Sequence, residues 1–337
     1  MTDIAADRIE TGSVGLTAAE LVPQLEHYRT ELTAYCYRML GSTFETEDAV
    51  QETFLRAWRS IEGFEGRAAL RSWLYRIATN VCLNMLSATQ RRARPMDLSP
   101  ASSASAPLGP MLPEATWVEP MPDSKVVPAG GDPAEVAVVR ESVRLAFVAA
   151  LQHLPARQRA VLILREVLHW RASEVAELLG TSVASVNSAL QRARATLSAS
   201  NIEQGDLPEP KDADQQALLA RYVDAFERYD MDSLTALLQD DVTWNMPPYE
   251  LWLQTHEDIV DWCLGPGIGC RGSRLIPTVA NGSPAFGQYK PDPVNGGWQP
   301  WSLQVLEISN GAISGITFFL DTEKFFPLFG LPPRLDA

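Results

Sequence analysis

Glu45–Arg94 reads ETEDAVQETFLRAWRSIEGFEGRAALRSWLYRIATNVCLNMLSATQRRAR, two helical patterns joined by a glycine-flanked loop. In Glu45–Arg59 the residues Ala49, Val50, Phe54, Ala57 and Trp58 recur at helical spacing and mark a buried stripe. Asp48 and Glu52 are four apart and share the wet face with Gln51 and Glu45. Acids near a helix start suit its dipole, so a solvated face explains them; a docking surface for a basic protein partner explains them as well. In Trp73–Arg92 the apolar set is Leu74, Ile77, Ala78, Val81, Met85 and Leu86, with Arg76 and Asn80 on a polar face near Trp73. Arg91, Arg92 and Arg94 crowd its end. Arginines there complement the dipole. An Arg, an Asn and a large aromatic close together are also what backbone phosphate and an unstacked base require. Phe64, in the GFEG loop, is either a core plug or a stacking platform.

Outward from this stretch, residues 22–94 form one helical unit. Residues 95–134, with PMDLSPASSASAPLGPMLPE, are rich in Pro, Ser, Ala and Gly and lack periodicity, which predicts a flexible linker with one local contact at Trp117 and Val118. Helical patterning returns over 135–200, and NIEQGDLPEPKD leads into a third unit over 213–330. There, helices over Ala213–Tyr229 and His256–Cys263 precede strands over Ser302–Ser309 and Ala312–Leu320, joined by Asn310-Gly311, a two-residue hairpin signal. Helices first and strands later predict an α+β unit.

Within 135–200, RASEVAELLG (171–180) predicts a helix with Gly180 at its exit, and Thr181-Ser182 offers a cap for the next. Val183, Val186, Leu190, Ala193 and Leu197 make a narrow apolar stripe, and Ser185, Ser188, Gln191 and Arg192 lie opposite. A generic helical hairpin would show such a polar face; a helix-turn-helix would lay it in a major groove.

The 337 residues carry a formal charge of −14, unevenly distributed. Residues 201–337 hold 8 basic and 20 acidic side chains (−12), whereas 135–200 hold 8 and 5 (+3). The asymmetry implies modules with different partners and weak DNA affinity for the chain alone. Cys36, Cys82, Cys263 and Cys270 form no CxxC pair and are expected as reduced core residues. No apolar run approaches the roughly 18 residues of a membrane span, and MTDIAADRIE lacks signal-peptide features, so a cytoplasmic, non-membrane protein is expected.

EDAVQETFLRAWRS, GFEG and WLYRIATN resemble region 2 of the extracytoplasmic-function (ECF) sigma factors, of the sigma-70 kind. LPARQRAVLILREV, SEVAELLG and SVASVNSALQRAR resemble their region 4. The resemblance implies that Asp48, Gln51 and Glu52 meet the clamp helices of the largest RNA polymerase subunit. Phe64, Trp73, Arg76, Asn80, Arg91 and Arg92 would meet the −10 element, with Asn80 and Phe64 lining a pocket for a flipped base. Ser185, Ser188, Gln191 and Arg192 would read the −35 element. ALLARYVDAFERYDMDSLTALLQDDVTWNMPP and SLQVLEISNGAISGITFFLD resemble the SnoaL-like superfamily, cone-shaped domains with an enclosed pocket. Trp244, Tyr249, Trp252 and Trp301 are candidate pocket walls for an unknown small ligand; Asp241, His256, Asp258 and Asp321 are candidate acid–base groups for the alternative of a cyclase-like activity.

The expected fold is thus multidomain, with two all-α sigma domains, a region 2 bundle and a region 4 helix-turn-helix, plus an α+β SnoaL-like domain. No catalytic residue, metal set or cofactor is expected. The expected partners are core polymerase and promoter DNA. The resemblance implies that the last domain regulates in cis, so that a dedicated anti-sigma protein is not expected. A DNA-binding regulator independent of polymerase is the rival reading.

Overall fold

The computed structural model describes residues 18–61, 70–87, 91–130, 132–199 and 212–336. Helices α1 (Ala18–Leu40), α2 (Thr43–Arg59) and α3 (Leu70–Leu86) form the first unit. Ser42 starts α2 as expected of a cap, its Oγ accepting from the Glu45 amide at 3.2 Å. Leu32, Tyr35, Met39, Ala49, Leu74, Tyr75 and Cys82 close the core, and Tyr35 Oη and Thr79 Oγ1 satisfy each other at 2.7 Å. Two expectations fail here. Trp58 is not in the buried stripe but 53% exposed, and α3 ends at Leu86 rather than running to Arg92.

The segment expected as a flexible linker is instead laid down along both neighbours. It holds α4 (Pro95–Leu98) and α5 (Asp123–Val126). Its backbone groups find partners far away in sequence: Ser102 N donates to Trp252 O, Leu112 N to Pro248 O, and Glu119 N to Gly41 O, at 2.8–2.9 Å. Trp117 and Val118 pair instead with Ala93 at the end of the first unit, through a parallel bridge and the Val118 N to Ala93 O bond at 3.1 Å.

Helices α6 (Pro133–Val143), α7 (Leu145–Gln152) and α8 (Ala156–Leu162), a π turn over Ile163–Val167, and α9 (Ala172–Leu178) and α10 (Val183–Ala199) complete the helical part. Gly180, at φ +60, turns the chain between α9 and α10. Val186, Leu190 and Ala193 of α10 are buried in the same cluster as Tyr75 and Cys82, so the two helical units share one core. Val183, expected in that stripe, is 43% exposed at the helix start.

The last domain places α11 (Asp212–Arg228), α12 (Met231–Thr235) and α13 (His256–Leu264) against one curved sheet. Its strands are β1 (Leu238–Asn245), β2 (Trp252–Leu253), β3 (Arg274–Ala280), β4 (Ser283–Pro291), β5 (Trp298–Ser309) and β6 (Ala312–Phe319), in the order β2-β1-β6-β5-β4-β3. Only β1 and β6 run parallel. Asn310 (φ +51) and Gly311 (φ +76) form the hairpin expected between β5 and β6. One sheet face covers Tyr222, Phe226 and Trp244. The other, through Tyr289, Leu303 and Val305, packs with α14 (Thr322–Leu328) on Tyr37 of α1 and on Val143 and Val148. Among the described residues no helix is long and apolar enough to cross a membrane.

Candidate polymerase and nucleic-acid surfaces

Asp48 and Gln51 are exposed, and Glu52 is held by Arg56 one turn on, at 2.7 Å. Continuing their row at spacings of four and three, Leu55 (49%) and Trp58 (53%) stand in solvent. This α2 face, a polar start followed by a leucine and a tryptophan, is left uncovered within the chain. The expected stripe hid Trp58, because an apolar residue at helical spacing reads as core; it does not include Leu55.

The α3 surface is divided. Asn80 is exposed. Trp73 is partly buried against the shared core, and Arg76 Nη2 lies 3.5 Å from Glu177 of α9. Tyr75 packs its ring 5.1 Å from Trp170, and the Arg71 guanidinium sits over the same indole at 5.6 Å. The helix-turn-helix therefore docks on the helix expected to face the −10 element. Arg91 is exposed and hydrogen-bonds His153. Arg92 is a correction: it is 4% exposed, donates to Trp117 O at 2.8 Å and Glu114 O at 3.1 Å, and pairs with Glu45 at 2.9 Å. Phe64 lies outside the described residues. On α10, Ser185, Ser188, Gln191 and Arg192 all face solvent, with Ser182 Oγ accepting from Ser185 N at 3.2 Å to cap the helix.

In the last domain, Trp244, Tyr249 and Trp301 line a cavity of about 390 Å³ together with Tyr229, Trp262 and Phe318. Trp252 does not line it; its Nε1 donates to Ser99 O at 2.9 Å and ties the interdomain segment down. Nor do Asp241, His256 and Asp258 reach it. His256 Nε2 lies 3.0 Å from Gln239 O; Thr255 caps α13 by accepting from the Asp258 amide at 3.0 Å, and the Asp258 carboxylate accepts from Ala104 N at 3.0 Å. The Cys263 thiol on its wall is pushed up to about 12 by burial, which keeps it unreactive as a nucleophile at neutral pH.

Two connecting residues were invisible to sequence reasoning. Glu119 is 2% exposed; its Oε2 accepts from Ser42 Oγ at 2.6 Å and Thr43 N at 2.8 Å, at the start of α2. Burial raises its carboxyl to about 7, against the lowering effect of the Ser42 bond and of Arg92. Asn281, at the tip of the β3–β4 hairpin with φ +57, is fully buried. Its Nδ2 donates to Tyr37 Oη at 2.6 Å and to Val143 O at 2.8 Å, while its Oδ1 accepts from Met121 N at 2.9 Å. One side chain thereby joins α1, the interdomain segment and the end of α6.

Family models for sigma-70 region 2 and sigma-70 region 4 match residues 25–92 and 144–197. Together with the helical units described above, they define a sigma-70-type transcription initiation factor. The ECF RNA polymerase sigma factor SigG of Mycobacterium tuberculosis is 47% identical over 317 residues, which covers 92% of this chain and 83% of the relative. The chain belongs to the ECF RNA polymerase sigma factor family. It binds core polymerase, recognises −10 and −35 elements and promotes initiation, with an α+β domain appended. The crystal structure of M. tuberculosis SigJ shares the fold, with a TM-score of 0.60 and 21% identity over 93% of this chain and 99% of that one. A solved complex of RpoE with the anti-sigma factor NepR from Bartonella quintana also matches (TM-score 0.34, 20% identity, 55% of this chain and 97% of that one).

Proposed function

We propose that this cytoplasmic sigma factor rests in a closed state, in which the SnoaL-like domain and the interdomain segment hold region 4 on region 2, and that it must open to engage a promoter. The supporting observation is the shared core that seats α9 and α10 against α3, reinforced by the Arg76–Glu177 pair. Elements at −10 and −35 lie roughly 85 Å apart, at about 3.4 Å per base pair. Two helical units packed in one core fall far short of that span.

In the open state, Asp48, Gln51 and Glu52 meet the polymerase clamp helices, and Leu55 and Trp58 extend that contact. Trp73, Arg76 and Asn80 face the −10 element, and Arg91 contacts phosphate. Ser185, Ser188, Gln191 and Arg192 enter the major groove at −35. The modules are residues 22–94, 135–200 and 213–330, with 95–134 as the strap between them. The last domain acts in cis and not as an enzyme, since its candidate acid–base residues do not converge on the apolar cavity.

A cleavable bismaleimide bridging Arg76→Cys and Glu177→Cys tests the opening. The bridged protein is expected to lose run-off transcription with core polymerase, and cleavage of the bridge to restore it. Equal transcription before and after cleavage would reject the closed-state reading.

A further inference from the structure

A second cavity adjoins the aromatic pocket, sharing Tyr249 and Trp301 with it, between residues 111–119 of the strap and the end of the sheet, with a volume of about 630 Å³. That is ample for a small molecule. Tyr249, Trp301 and Phe319 give it an apolar floor. Four carboxylates line it, from Glu114, Glu119, Asp321 and Glu323, against one ammonium, Lys290. Lys324 reaches Glu114, and lies 3.2 Å from Asp321. Glu323 forms no ion pair among the described residues. The Glu119 carboxylate is only partly satisfied: Oε2 takes both hydrogen bonds from the start of α2, while Oε1 is buried without a hydrogen bond of its own, 3.8 Å from Arg92 Nη1. Burial raises its pKa, and the Glu114 carboxylate nearby raises it further. The Trp301 face already carries a cation of this chain, Lys290 Nζ, 3.5 Å from its centre, so an entering cation shares or replaces that contact.

We infer that this cavity is a receptor site for an organic cation with an apolar body, and that Glu119 relays its occupancy to α2. An ammonium group on the carboxylate side meets the incompletely partnered Glu119 and the free Glu323, while the apolar body covers the aromatic floor. A neutral ligand without a donor leaves the buried Oε1 as it is, and an anion faces an excess of negative charge. A cation beside Glu119 also favours its ionised form, which burial now disfavours. The relay is short, because the same carboxylate holds Ser42 and Thr43, the first residues of the helix that carries Asp48, Gln51 and Glu52. The relay rests on the proposed polymerase-docking role of α2; ligand binding itself does not.

The test uses the full chain, with tryptophan emission and calorimetry reporting the binding of benzyltrimethylammonium, benzyl alcohol and phenylacetate. The cation is expected to bind roughly tenfold more tightly than either of the others. Glu323→Gln, at an exposed position that leaves the fold alone, and Glu119→Gln are each expected to reduce that preference, and Trp301→Leu to weaken the cation. Hydrogen exchange at residues 43–47 is expected to change on binding. A cation that binds no better than benzyl alcohol, or whose affinity all three variants leave untouched, overturns the site. Binding without any change at 43–47 overturns the relay. Failure of the bismaleimide experiment with cation binding intact would sink the closed-state reading alone.

Discussion

Replacing Asn281 by alanine tests the closed state at its most concentrated contact. The side chain makes three hydrogen bonds, and Tyr37, Met121 and Val143 are all fully buried. Tyr37 Oη keeps its own bond to Glu119 O at 2.7 Å, so truncation orphans two groups, the Met121 amide and the Val143 carbonyl. Each unsatisfied buried group costs about 1–3 kcal/mol, and alanine in a left-handed backbone adds about 1 kcal/mol. Water entering the gap returns part of this, leaving about 2–5 kcal/mol. The assay is hydrogen exchange of the Met121 amide in the full chain. About 3 kcal/mol corresponds to exchange faster by roughly two orders of magnitude. Asn281→Gly separates the parts, because it keeps the backbone conformation and loses only the bonds; it should lie about 1 kcal/mol above alanine. Run-off transcription should rise in both variants if closure restrains the protein. Less than a tenfold change at Met121 in Asn281→Ala would refute the reasoning, since the hairpin tip would then not be what holds the domains together.

Glu119→Gln is expected to alter the pH dependence of stability. With its pKa raised to about 7 from 4.5, the folded state holds the proton more tightly. The favourable contribution is full below about 4.5 and lost as pH rises through about 7; urea titrations of wild type and variant should differ by that slope, and parallel curves would reject it. Asn80→Ala should lower open-complex formation by roughly tenfold while core-polymerase binding stays level, consistent with the loss of a base contact worth about 1–3 kcal/mol; equal losses in permanganate footprinting and pull-down would remove the base-capture role. Arg192→Ala should weaken −35-dependent transcription by about 1–3 kcal/mol, and full activity on such a promoter would reject the groove assignment. Trp58→Ala should weaken core-polymerase affinity about tenfold with an unchanged circular dichroism spectrum, as expected of an exposed aromatic anchor; unaltered affinity would return Trp58 to a bystander.

What could be read in the sequence was local. The period of Val186, Leu190 and Ala193, the Gly180 exit and the Asn310-Gly311 hairpin each follow from the residues that make them, and each stands where expected. Arg92 and residues 95–134 did not follow, for one physical reason. Arg92 at a helix end reads as exposed, yet its carbonyl partner Trp117 lies 25 residues away. The strap, rich in proline and serine, has no period to signal burial; its order comes from carbonyls of the last domain such as Trp252 and Pro248. Trp58 failed in the opposite direction. Helical spacing placed it in the core, whereas the face it occupies is left free in this chain alone.

The chemistry of the closed contacts also bears on whether the molecule can open. Three arginines are buried where the parts meet. Arg38 reaches the Ser142 Oγ at 2.7 Å, Arg92 reaches Trp117, and Arg159 bonds Gln152 Oε1 at 2.6 Å and the Met39 carbonyl. Burial lowers Arg38 and Arg159 to about 10, so both remain charged at neutral pH and carry a desolvation penalty while closed. Opening returns that solvation, which an apolar seam of the same area would not. Buried guanidinium groups therefore hold the parts in one register while keeping the open state accessible. The seam gains specificity from its hydrogen bonds and gives up stability to its charges. Under the proposed opening, such a seam serves release of region 4 better than a purely hydrophobic one, whose exposed faces would favour aggregation over promoter search.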